Sequence, residues 1–141
     1  MPTGSTDRPQ PVTAPYARIL LATEHTEFDV GAERVAFCNT GSEAVMGCMR
    51  IARTVTGRST IAIFTGAYHG IFDEVIVRGT KQLRSLSAAP GILANAVENI
   101  LVLDWNSEDS LRVLRERGTE LAAIMTEPIQ NKYPTLQPRE F

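Results

Sequence analysis

Three apolar runs decide what this chain can fold into: Thr60–Phe64 (TIAIF), Ile100–Leu103 (ILVL) and Leu121–Met125 (LAAIM). A strand with one face in water alternates apolar and polar residues, and none of these does. Continuous apolar runs of this length suit strands covered on both faces, the pattern of a parallel sheet between helices. The expected fold class is therefore α/β, a three-layer α/β/α arrangement with a mostly parallel sheet.

The intervening sequence supplies the covering elements. Arg34–Cys38 (RVAFC) reads as a further short strand, Asn39–Ser42 as a turn, and Glu43–Thr56 as a helix interrupted only by Gly47. Ala44, Met46 or Gly47, Cys48, Ile51, Ala52 and Val55 recur at three-to-four spacing and form its expected inward face. Gly57 stands where a C-terminal cap glycine ends many helices. A second helix is expected from a cap at Asn106 or Ser107 to about Arg117, with Leu111 and Leu114 inward and Gly118 as its stop. Gly79–Gly91 mixes Ser, Ala, Gly and Pro and reads as a long irregular connection. Residues 1–15 hold four prolines without apolar periodicity and are expected to form a disordered tail or linker. Residues 16–141 form the body, in which 16–33 carry the weakest pattern.

Charge and composition narrow the functional classes. A net charge of −2 without a basic run gives no positive stripe for nucleic acid or an anionic membrane. No apolar stretch approaches the ~20 residues of a membrane span, and the start MPTGSTDRPQPVTAP lacks the regions of a signal peptide, so a cytoplasmic setting is expected. Cys38 and Cys48 are the only cysteines and match no metal spacing; they are expected to be buried packing groups. No metal site is expected. Of 14 basic residues only Lys81 and Lys132 are lysines, so chemistry that needs an amine has two candidates.

Three segments could carry chemistry. Asn39-Thr40-Gly41-Ser42-Glu43 lies at a strand-to-helix junction, where free N–H groups and the helix dipole favour an anion. Gly41 admits a close backbone approach and Ser42 offers hydroxyl and amide donors. Thr40 or Ser42 with Glu43 makes an equally good helix cap, and that reading stays open on the pattern alone. The segment lacks the lysine of a P-loop and the three glycines of a dinucleotide fingerprint. Tyr68-His69-Gly70 could set a ring over a flat cofactor, or could be a turn with a packed tyrosine and a hydrogen-bonded histidine. Glu127-Pro128 follows a strand's C-terminal end, where ligands of open α/β sheets gather, or is an exposed loop carboxylate.

Together and in this order, FCNTGSEAVMGCMRIARTVTGRSTIAIFTGAYHG (37–70) and MTEPIQ (125–130) resemble class III pyridoxal-phosphate-dependent aminotransferases. The wording is most similar to glutamate-1-semialdehyde aminomutase-like proteins and to aminotransferase domains of hybrid polyketide/nonribosomal-peptide synthases, a likeness that extends through PTLQPREF (134–141). The resemblance implies a fold type I architecture, pyridoxal 5′-phosphate as cofactor, a homodimer, and a small-molecule amino donor and carbonyl acceptor. The synthase likeness adds a carrier-bound polyketide acceptor. By the same resemblance Gly41 and Ser42 fall on the cofactor-phosphate positions and Tyr68 on the ring-stacking aromatic, with His69 beside it. Glu127 falls on a glutamate near the cofactor's phenolic side.

Departures limit what carries over. Many class III ω-aminotransferases place a second glutamate five residues after the first, and Lys132 stands there in this chain, against an arginine-switch mechanism. Phe72-Asp73-Glu74-Val75 spells the motif whose aspartate pairs with the pyridine nitrogen, but it directly follows YHG instead of the Glu-Pro segment, so Asp73 is not given that role. Neither Lys81 nor Lys132 matches the place of the Schiff-base lysine, so no catalytic residue is identifiable. The expectation is a partial pyridoxal-phosphate-binding large domain over 16–141, inactive in isolation. Without the resemblance, the residues also suit a non-catalytic α/β interaction or structural domain, or a simple phosphate-ligand binder using Gly41 and Ser42.

Overall fold

The structure, a computed structural model, describes residues 19–22 and 34–141. The reading of 1–15 as a tail lies outside the described residues. Strand β1 (Ile19–Ala22) pairs in parallel with β2 (Arg34–Phe37). Helix α1 (Gly41–Thr56) leads to β3 (Thr60–Phe64), and a short antiparallel hairpin follows, β4 (Val77–Gly79) with β5 (Ser85–Ser87). The chain continues through β6 (Ile100–Leu103), helix α2 (Glu108–Arg117) and β7 (Leu121–Ile124). The central sheet has the order β6–β3–β7 with both pairings parallel, Ile61 opposite Ile100 on one side and Ala123 on the other.

Both faces of β3 and β6 are covered, which accounts for their unbroken apolar runs, whereas in β7 only Leu121 is buried and Ile124 is exposed. Ile61, Ile63, Ile100 and Val102 point to one face, where Met49 of α1 completes the cluster and Val45 packs on it. Ala62, Phe64, Leu101, Leu103 and Leu121 form the other, covered by Val113 and Leu114 of α2 with Trp105 and Phe141. Each such side chain withdrawn from water stabilises the fold by about 2 kcal/mol. The layers are α/β/α, as the runs require. Among the described residues no helix is long and apolar enough to cross a membrane.

Several local expectations are corrected. The inward face of α1 is Val45 and Met49, while Cys48 and Val55 are exposed. Val45 and Met49 each follow Ala44 and Cys48 by one residue, about 100° further round the helix, and contact with the sheet selects that side. The Cys48 thiol therefore is not a core group, and Cys38 is only half-buried. Partial burial, and secondarily the neighbouring Cys38, raises the Cys48 pKa. In α2, Val113 joins Leu114 against the core in place of Leu111. The irregular connection holds the β4–β5 hairpin. Gly79 sits so close to β6 that a β-carbon there would stand 3.0 Å from Val102 Cβ, and the Ser85 hydroxyl donates to the Ile100 carbonyl.

Candidate functional site

Strand β2 ends at Phe37 and hands the chain to α1 through a two-way cap. Thr40 Oγ1 accepts the Glu43 N–H (3.2 Å), and Glu43 Oε2 accepts the N–H groups of Asn39 (2.7 Å) and Thr40 (3.0 Å). The capping role open to Thr40 or Ser42 thus falls to Thr40. The Ala44 N–H meets the Thr40 carbonyl (3.1 Å). Of the N–H groups that a helix start leaves without an internal partner, those of Gly41 and Ser42 remain unmet among the described residues. A β-carbon built on Gly41 would find no atom within 4 Å outside its immediate surroundings, so the helix start is uncrowded on that side.

The loop after β3 is folded onto this helix start. Ile71 donates its N–H to Ser42 Oγ (3.2 Å), which fills an acceptor position of the hydroxyl and leaves its proton for another partner. Gly70, at φ +119°, presses against Ser42. From the other side, Glu127 beyond β7 accepts the Tyr68 N–H at Oε2 (2.8 Å). Tyr68 keeps its ring exposed, 57% by area. His69 points inward, 8% exposed, and its Nε2 has no hydrogen-bond partner among the described residues. Burial lowers its pKa, opposed by the nearby Glu127 charge, so the ring is held toward its neutral form.

The structure thus brings Gly41, Ser42, Tyr68, His69 and Glu127 together beyond the C-terminal ends of β2, β3 and β7, the end where ligands of open parallel sheets are held. Among the described residues neither lysine is hydrogen-bonded or ion-paired to any of these five. Lys132 Nζ lies over the Tyr133 ring, 5.5 Å from its centre. Lys81 lines a groove of about 540 Å³ with Thr80, Ser107, Arg112 and Thr65, the residue at the root of the tyrosine loop. Asp73 opens a 3₁₀ turn, Asp73–Val75, not a sheet strand.

Sequence reasoning passed over Gln130, quoted as part of a motif but given no role. It is 1% exposed and donates from Nε2 to the Thr65 carbonyl (3.1 Å). The available signal was its polarity next to a strand end, which is also the signal of an ordinary loop residue.

Comparison with known proteins agrees with this arrangement. The family model of class III aminotransferases matches residues 11–135. A glutamate-1-semialdehyde 2,1-aminomutase of Caldivirga maquilingensis is 40% identical over 121 residues, which cover 84% of this chain and 28% of that protein. A solved structure described as a transaminase with PLP bound is 36% identical at a TM-score of 0.60, covering 71% of this chain and 24% of that one. A glutamate-1-semialdehyde aminomutase from Pseudomonas aeruginosa PAO1 is 25% identical at a TM-score of 0.54, covering 65% of this chain and 20% of the other. The chain spans less than a third of the length of these relatives. By the family-model match over most of its length and by its identity to a curated relative, the chain belongs to the class III aminotransferase family.

Proposed function

We propose that residues 16–141 are part of the large domain of a pyridoxal-phosphate-dependent aminotransferase or aminomutase, and that they hold the cofactor's phosphate and one face of its ring. The observation that carries this reading is the joint between Ser42 and the 66–71 loop: one contact ties the helix start that offers the N–H and hydroxyl donors to the loop that carries the exposed Tyr68. The residues fit the group. The uncrowded side-chain position at Gly41, two N–H donors unmet among the described residues and a hydroxyl with its proton free suit a phosphate at a helix start. The exposed Tyr68 ring offers a flat face to a flat heterocycle.

Pyridoxal 5′-phosphate supplies, when bound, a carbonyl carbon that takes up an amino group and a conjugated ring that accepts the electrons of an adjacent C–H bond. The protein's part is binding and orientation. Gly41 and Ser42 fix the phosphate end, and Tyr68 sets the plane of the ring. Glu127 has one carboxylate oxygen on the Tyr68 N–H, and its other oxygen remains to hold a proton-bearing group on the phenolic side. Neutral His69 borders the ring without adding charge.

The whole protein would move an amino group between a small amino donor and a carbonyl acceptor, working as a cytoplasmic homodimer. The PTLQPREF likeness favours an acceptor carried on a polyketide synthase carrier protein. On this reading the chain by itself binds the phosphate end without turnover, because neither Lys81 nor Lys132 stands at the Schiff-base position that the family resemblance implies. The test is titration with pyridoxal 5′-phosphate, followed by cofactor absorbance, with inorganic phosphate as competitor. Ser42→Ala and Tyr68→Ala should each weaken binding about tenfold, the scale of one charge-assisted hydrogen bond or one stacking contact. Binding that ignores both substitutions, or that phosphate does not compete, would overturn the reading. Turnover through Lys81 or Lys132 would overturn the inactivity of the isolated chain.

A further inference from the structure

We infer that Gln130 is a positioning residue that fixes the Thr65–Tyr68 loop, and through it the direction in which the Tyr68 ring is presented. This deepens the function proposed above and rests on it only for the identity of the ring's partner.

Thr65 is where the loop leaves β3, and it is pinned from two sides, while the Ala67 N–H returns to the Phe64 carbonyl (3.1 Å). The Thr65 N–H meets the Leu103 carbonyl (2.8 Å), and its hydroxyl reaches the same carbonyl and Asp104 Oδ1, each at 3.2 Å. Its carbonyl accepts from Gln130 Nε2 (3.1 Å). The chain then turns through Gly66 at φ +86°. A β-carbon on Gly66 would stand 3.2 Å from Gln130 Oε1 and 3.1 Å from Tyr133 Cε2, so the turn is seated against the amide and the Tyr133 ring. The Tyr133 N–H bonds the Gln130 carbonyl (3.1 Å), which keeps that ring in place. Two residues on, the Tyr68 N–H is taken by Glu127. One segment, 127–133, therefore grips the loop at Thr65, Gly66 and Tyr68.

The cost side points the same way. Gln130 Oε1 is buried with no hydrogen-bond partner among the described residues, and an unpaired buried amide oxygen disfavours the fold. A methionine would fill the same slot without that penalty. Thr65 is exposed, so its carbonyl can turn to water when the amide is removed. A residue that packs worse than its apolar counterpart, yet holds the carbonyl at the root of the loop, is placed for geometry and not for stability.

The substitution Gln130→Met separates the two roles. Expected are a melting temperature equal to or above the parent's, faster hydrogen exchange at the Ala67 and Tyr68 amides by about tenfold, and unchanged protection in β3 and β6. The Kd for pyridoxal 5′-phosphate should rise about fivefold in the Tyr68 protein and less than about twofold on a Tyr68→Ala background, as expected when one residue acts through the other. Unchanged exchange in the loop overturns the inference. So does a lower melting temperature with exchange rising equally in β3 and β6, and so does an equal loss of affinity in both backgrounds. A parent chain that binds no pyridoxal 5′-phosphate overturns the function proposed above, and the exchange measurement then decides Gln130 alone.

Discussion

Gly70 and Ser42 touch backbone to side chain: a β-carbon on Gly70 would stand 2.6 Å from Ser42 Oγ, 3.0 Å from its Cβ and 3.1 Å from its Cα. This contact, with the bond from the Ile71 N–H, seats the tyrosine loop on the first turn of α1. Neither residue could be exchanged for a larger one without separating the two halves of the site.

Gly70→Ala should therefore be costly twice over, through the overlap with Ser42 and through a φ of +119° that a side chain resists. We expect a loss of about 3 kcal/mol in denaturant unfolding. Weaker binding of inorganic phosphate should accompany it. An alanine variant as stable as the parent would show that the loop does not rest on α1.

The helix cap and the site hydroxyl are adjacent but separate in function. Thr40→Ala removes a cap bond and should cost about 1 kcal/mol. Ser42→Ala, whose hydroxyl caps nothing in α1, should cost less in urea unfolding while affecting phosphate binding more. A reversed order of stability losses would place the cap on Ser42.

His69 makes stability depend on pH. Burial lowers its folded-state pKa below its ordinary value, so the unfolded chain binds the proton more readily. Its contribution is complete above the ordinary histidine pKa, near 6.5, and is lost as pH falls below that and through the lowered folded value. His69→Gln should flatten the stability profile between about pH 7 and pH 5. An unchanged slope in the variant would assign the titration to another group.

Phe64, Trp105 and Phe141 form a triangle of edge-on rings with centres 5.0–5.6 Å apart. Phe141→Ala removes two of the three contacts and should cost about 2 kcal/mol. Because Trp105 is the sole tryptophan, its emission should shift to the red as the ring is uncovered. Emission that stays in place would mean that Phe141 does not shield it.

Much of this architecture is legible in the chain. Thr60–Phe64 and Ile100–Leu103 coincide with β3 and β6 because a strand buried on both faces leaves no polar residue in its run. The cap residues of α1 and α2 are local chemistry, and Thr40 and Ser107 fill those places. The inward stripe of α1 was not legible: Val45–Met49 and Ala44–Cys48 are equally apolar, and only contact with Ile61 and Ile100 chooses between them. The β4–β5 hairpin was hidden for a similar reason. Its strands are three residues each, and their inner side is held by Gly79 lying on Val102, a fit that composition does not record.

The parts are written locally in the chain: the apolar strands, the capped helix start at Gly41, and the motif segments that mark a class III aminotransferase. These depend on neighbours within a turn or a strand, where spacing and local hydrogen bonding suffice. Tertiary structure alone decided how the parts meet. It released Ser42 from capping, turned His69 inward and Tyr68 outward, and set Gln130 under Thr65. Those outcomes come from contacts between residues far apart in the chain, where close packing and the pairing of buried polar groups, not local propensity, fix the geometry.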